Sequence, residues 1–212
     1  MYQYAYLHGF SSGPASMKGV RLARAFDRKG VTIELPDLNV PSFADLSPKG
    51  MLGALDALDK AGPPWATWRF IGSSMGGWLA AMWAQQHPDR VDRLVLLCPG
   101  FGIQDRWANI VGQAGFEQWQ RDGRIPIPDA RGIPVPLHYR LVMEMEDLPR
   151  FPEVPCATLI IHGTQDVTVP IDGSRRYVAA RSHVRLVEVD DNHTLLNSLD
   201  RIGKETARFF GI

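Results

Sequence analysis

Apolar and polar positions follow two rhythms along the chain. Short, nearly continuous apolar runs occur at residues 4–7, 31–35, 68–71, 91–97, 158–161 and 184–189. Runs of this length, bounded by Gly, Pro, Asn or Asp, read as strands. Between them the apolar residues fall at helical spacing. Met17, Val20, Leu22, Ala23 and Phe26 predict a helix from Pro14 to about Lys29, ended by Gly30. Ser47 and Pro48 predict the start of a second helix, which carries Met51, Leu52, Leu55 and Leu58 and stops near Gly62. Residues 78–84 form a strongly apolar helix, closed by His87-Pro88. Two more helices are expected, one through residues 175–180 and one from about 195 to 210. Strands alternating with helices, several of them apolar on both faces, imply a covered parallel sheet. The expected fold is α/β, a single domain over residues 1–212, with about six mostly parallel strands and helices on both faces.

The rhythm breaks after the fourth predicted strand. Residues 101–155 hold Trp107, Phe116, Trp119, His138, Tyr139, Met143 and Met145, with prolines at 126, 128, 134, 136, 149 and 152. A simple crossover needs only about a dozen residues or more. The segment is expected to be a partly helical lid over a site. A helical extension packed away from the chemistry is the plainer alternative. Trp107, Phe116 and Trp119 are expected on one helix and one face, where they would wall an acyl pocket or form ordinary core.

Composition narrows the function. The chain has 23 Lys and Arg against 23 Asp and Glu, so no net field favours nucleic acid or an anionic membrane. No apolar stretch is long enough to span a bilayer. The opening residues read as a strand and not a signal peptide, which makes a cytoplasmic location the expectation. Cys98 and Cys156 lie far apart in or beside strand-like runs. They are expected to be reduced core thiols, and two cysteines alone do not make a zinc site. Neither a metal nor a cofactor is expected. Residues 13–19 look faintly like a phosphate loop but lack its Gly-Lys-Ser/Thr ending and carry Pro14 where free amides are needed.

The chemistry centres on Gly72-Ser73-Ser74-Met75-Gly76-Gly77, between a strand and a helix. A G-x-S-x-G sequence in that setting marks a sharp turn that lifts one serine hydroxyl above the sheet edge. Ser74 is the candidate nucleophile. A serine needs a base, and the base needs an orienting carboxylate. His193 follows the last strand, at the carboxyl end of the sheet, and is the candidate base. Asp166 follows the fifth strand and is the candidate acid. Asp190 and Asp191 are too near His193 in sequence to aim at its ring and read as turn residues. Asp172 reads as a helix N-cap. His162 is expected to shape its turn and His8 to scaffold its loop. The oxyanion donors are expected to be the amides of Met75 and Phe10, with Gly9 allowing the loop to approach.

These residues resemble the α/β-hydrolase superfamily over nearly the whole chain. The resemblance runs through Leu7-His8-Gly9-Phe10, the serine turn, His162-Gly163 with Asp166 and Val169-Pro170, and Asp191-Asn192-His193, in family order. The short chain and early His-Gly-Phe resemble small YqiA-like esterases. The run from Gly72 to Leu79 also resembles abhydrolase depalmitoylating thioesterases. The two leading antiparallel strands of the full fold are missing. The resemblance implies a cofactor-free serine hydrolase acting on small-molecule esters or thioesters with an apolar acyl group. A peptidase or amidase, or a hydrolase of carbon–carbon bonds, would use the same three residues. A binding protein that kept the fold and lost the chemistry is the remaining class.

Overall fold

The computed structural model describes residues 1–212. Its centre is a sheet of five parallel strands: β1 (Tyr2–Leu7), β2 (Thr67–Ser73), β3 (Val91–Leu97), β6 (Ala157–Gly163) and β7 (Val184–Val189). They lie side by side in that order. Eight helices accompany them: α1 (Met17–Asp27), α2 (Pro48–Ala61), α3 (Met75–Gln86), α4 (Trp107–Val111), α5 (Gln113–Asp122), α6 (Arg140–Glu146), α7 (Asp172–Ala179) and α8 (Leu199–Phe210). A separate antiparallel hairpin pairs β4 (Arg124–Pro128) with β5 (Pro134–His138).

Strand periodicity divides the core in two. Ala5, Leu7, Phe70, Leu94, Leu96 and Ile160 point to one face, into a cluster of 33 buried residues with α2, α3, α7 and the 101–155 segment. Tyr6, Ile71, Val95, Leu97, Leu159 and Ile161 point to the other, into a cluster of 16 with α1 and α8. Helix α3 is buried from Met75 through Ala84 because it lies between the sheet and the elements covering it. Its all-round apolar sequence is what such a position requires.

Four predicted elements differ, the fourth within residues 101–155. Residues 31–35 do not form a full strand. Glu34 alone bridges to β1, its amide donating to Tyr4 O and its carbonyl accepting from Tyr6 N. Pro36 has no N–H and restricts the residue before it, so the ladder stops there. Helix α1 begins at Met17, capped by the Ser16 hydroxyl, and not at Pro14. Helix α8 begins only at Leu199, because Leu195 takes φ +56° and the chain turns there.

The 101–155 segment holds short helices and the hairpin. Prolines 126 and 128 face prolines 136 and 134 across it. In a two-stranded ladder these are positions whose N–H would point outward, so proline is tolerated. Ile125, Ile127 and Leu137 alternate with them and point into the core. Gly112, at φ +81°, separates α4 from α5. Trp107 therefore stands on one helix and Phe116 and Trp119 on another, and the single aromatic-bearing helix expected from sequence is not formed.

Candidate active site

Ser74 sits between β2 and α3 with φ +54° and ψ −119°, a conformation costly for any residue with a side chain. The turn survives because its neighbours have no Cβ. A Cβ on Gly72 would lie 2.5 Å from Gly76 O, and one on Gly76 would collide with Leu7 O and His8 O. The turn is also fastened from β3: Ser74 N donates to Leu97 O at 2.9 Å, and Gly100 N donates to Ser74 O at 2.8 Å. Ser74 occupies the N-cap position of α3, yet its hydroxyl makes no capping bond. It donates instead to His193 Nε2, 2.9 Å away. His193 Nδ1 donates to Asp166 Oδ2 at 2.6 Å. The three residues come from the ends of β2, β6 and β7, and their side chains meet at the carboxyl edge of the sheet.

The Asp166 side chain has no exposed surface. Its Oδ1 accepts from the amides of Thr168 at 2.9 Å and Val169 at 2.8 Å. His162 Nε2 lies 3.2 Å from Oδ2. Burial pushes this carboxyl up, but the bonds from His162, His193 and Val169 outweigh it and hold the group well below the usual carboxylate range. The carboxylate is therefore ionised wherever His193 needs it.

The other candidates are engaged elsewhere. His8 Nε2 accepts from Leu38 N and its Nδ1 donates to Gly9 O, each at 3.0 Å, so neither nitrogen is free to act as a base. Burial pushes its pKa down. Asp190 accepts from Gln165, and Asp191 Oδ1 accepts from Asn192 N. His138 accepts from Arg140 N, and His183 meets Val154 O. Asp172 is the first residue of α7, and Ile171 is its N-cap. The Phe10 amide has no acceptor within the protein, and the Met75 amide opens α3, where N–H groups lack helical partners. Both belong to the segments flanking Ser74.

The aromatic residues divide. Trp119 is 0 % exposed, donates to Leu137 O at 2.8 Å, and packs edge-on against Trp107 and Tyr139. It is core in this structure and offers no wall to an open pocket. Phe116 is half-buried against Tyr139. Trp107 is buried and touches Phe10. An open cleft of about 380 Å³ lies beside them, lined by Phe10, Ser11, Ile110, Val111, Ile125 and Ile127. A larger cleft of about 1050 Å³ lies between α1 and α8, and neither cleft is lined by Ser74, Asp166 or His193, though the smaller one includes Phe10.

Three groups near the acid were not anticipated: Cys98, Lys18 and the His162–Ser174 pair. Cys98 Sγ, the Asp166 carboxylate and His193 Nδ1 lie within 4.8 Å of one another, the one grouping with metal-ligand atoms. Burial pushes the Cys98 thiol far up, and a protonated thiol is a poor ligand. The donor set does not suit a metal. Burial also lowers the pKa of Lys18, against the pull of Cys98, Asp166 and Asp191.

Known proteins share this fold at low identity. Est1E from Butyrivibrio proteoclasticus, solved with ferulic acid bound, superposes with a TM-score of 0.83 at 19 % identity, covering 99 % of this chain and 88 % of its own. An α/β-superfamily putative hydrolase from Xanthomonas campestris pv. campestris superposes with a TM-score of 0.68 at 24 % identity, covering 99 % and 98 %. A stretch of 150 residues, 68 % of the chain, is 28 % identical to monoacylglycerol lipase abhd6-A of Xenopus laevis, and spans only 40 % of that protein. The superpositions establish the α/β-hydrolase fold. The sequence profile of the Uncharacterised protein family (UPF0227) matches residues 3–207, and the chain belongs to that family.

Proposed function

We propose that the protein is a serine hydrolase that cleaves carboxylic esters or thioesters through an acyl-enzyme. One observation carries the reading: the unbroken hydrogen-bonded line from Ser74 Oγ through His193 to Asp166, at 2.9 and 2.6 Å. His193 Nε2 takes the Ser74 proton as Oγ attacks the substrate carbonyl. The Met75 and Phe10 amides stabilise the oxyanion that develops. Asp166 holds the Nδ1–H tautomer and stabilises the imidazolium. The imidazolium then protonates the departing alcohol or thiol. Water, deprotonated by the same nitrogen, releases the acid and restores Ser74.

The cleft bordered by Phe10, Ile110, Val111, Ile125 and Ile127 supports an apolar acyl group. It is bordered by Phe10 and Ser11 after β1 and by residues of α4, α5 and β4, which supports a cap role for the 101–155 segment. The ferulic acid found in Est1E supports a small ester as the substrate class.

Two steps test the reading. A fluorophosphonate should label the protein, with the adduct mapping to Ser74 by peptide mass. A series of oxygen and sulfur esters of increasing acyl length should then show turnover with an optimum. No labelling and no turnover would refute a hydrolytic function.

A further inference from the structure

His162 is fully buried at the end of β6, four residues before the acid. Its Nε2 lies 2.8 Å from Val169 O and 3.2 Å from Asp166 Oδ2. Both are acceptors only, so Nε2 carries the proton. Its Nδ1 lies 2.8 Å from the hydroxyl of Ser174, buried in α7. The ring in the Nε2–H form leaves Nδ1 to accept from that hydroxyl, and every polar atom of the pair then has a partner.

The result is a carboxylate with three hydrogen-bond donors and a fourth N–H against it. Oδ1 takes the Thr168 and Val169 amides, Oδ2 takes His193, and the His162 Nε2–H, shared with the closer Val169 O, lies 3.2 Å from Oδ2. A carboxylate has about four lone-pair sites. With these partners in place the carboxylate is held in the orientation that meets His193.

We propose that His162, its tautomer fixed by Ser174, is a positioning residue that keeps Asp166 ionised and aimed at His193. The proposal rests on the serine-hydrolase reading for its kinetic consequence but not for its structural one. The Ser174 hydroxyl polarises the His162 ring, and Nε2–H withdraws charge from Oδ2. Its loss leaves Oδ2 a stronger acceptor while the two amides still hold Oδ1. His193 should then bind its proton more tightly. The other charged or titratable groups facing this cluster are Cys98, Lys18 and Asp191 around Asp166, and Glu188 toward His162.

The test compares the parent protein with His162→Met, His162→Gln and Ser174→Ala. The His193 imidazole is titrated by NMR, and kcat/KM is followed against pH. In His162→Met the imidazole midpoint and the acid limb of the rate profile should both rise by on the order of half a unit. The plateau rate should fall by about tenfold, the scale of one lost charge-assisted hydrogen bond. His162→Gln places an amide N–H near the lost Nε2–H and should restore most of the shift. Ser174→Ala should give a smaller rise in the same direction. In the parent at neutral pH, nitrogen shifts should show His162 in the Nε2–H form.

An Nδ1–H form at His162 overturns the proposal. Unchanged or lowered midpoints in folded variants also overturn it, even where the melting temperature falls, because they reduce His162 to a packing residue. If His162→Met does not fold, Ser174→Ala and the tautomer decide. A parent that neither hydrolyses esters nor reacts with fluorophosphonate defeats the functional reading alone. The imidazole titration still settles the role of His162.

Discussion

Phe10 and Trp107 meet edge to face, their ring centroids 5.4 Å apart at 78°. One residue belongs to the loop after β1 and the other to α4, the first α-helix of the 101–155 segment. The contact ties the position of the Phe10 amide, a proposed oxyanion donor, to the folding of a segment about a hundred residues away in sequence. Arg106 strengthens the link by donating to Thr168 O and Val167 O of the acid loop. The 101–155 segment therefore touches both the loop after β1 and the loop that carries Asp166.

Trp107→Ala should lower kcat by more than it raises KM, because the Phe10 loop loses its support while the acyl cleft stays open. Steady-state kinetics on one short ester checks this. A change confined to KM would show that Trp107 does not act through Phe10.

Trp119→Ala should behave as a core truncation. The indole is wholly buried and its N–H is satisfied, so the change should cost about 3–5 kcal/mol, read by urea unfolding. The preference for acyl length should stay as in the parent. Ile110→Trp should do the reverse, since Ile110 lines the open cleft and is only half-buried. It should shorten the preferred acyl chain with little loss of stability.

Ser74→Ala should abolish hydrolysis and fluorophosphonate labelling while the protein still folds. Alanine removes one hydroxyl and keeps the Cβ that the turn already accommodates. Labelling that persists in this variant would move the nucleophile to Ser73 or elsewhere.

Asp166→Asn should cut kcat by on the order of 10⁴, as amidation of a triad aspartate does. Stability provides a second check. A carboxyl whose folded pKa is depressed stabilises the fold fully above its unfolded value of about 3.9, and the contribution is lost as pH falls toward the folded value. The parent should exceed Asp166→Asn in unfolding free energy at pH 7. The gap should narrow steadily at acidic pH below about 4. A gap independent of pH would mean that the carboxylate charge contributes nothing to the fold.

Hydrolysis should rise through the weakly acidic range and level off above neutrality, because only neutral His193 can accept the serine proton. A histidine starts from a reference pKa of about 6.5. Initial rates from pH 5 to 9 test this, and a flat profile would argue against a histidine base.

The parallel sheet and the cluster of Ser74, His193 and Asp166 were legible in the sequence because each rests on a short local signal. A glycine-flanked serine and polar residues just past apolar runs need no knowledge of distant packing. The His162–Ser174 pair was not legible. Its meaning lies in which nitrogen meets which acceptor, and that is set when α7 packs beside β6. The second predicted strand failed because apolar content marks burial as well as pairing, and Pro36 limits the pairing to Glu34. The hairpin was missed because its prolines read as breakers. Only the pairing register reveals that every one of them stands where no donor is needed.

That same proline pattern has a consequence for the behaviour of the protein in concentrated solution. A free two-stranded ribbon has two open sides, each able to seed addition of a strand from another molecule. Pro126, Pro128, Pro134 and Pro136 remove donors from those sides, which weakens any hydrogen-bonded extension from them. The hairpin can thus present an apolar-backed ribbon with less tendency to become a nucleus for aggregation.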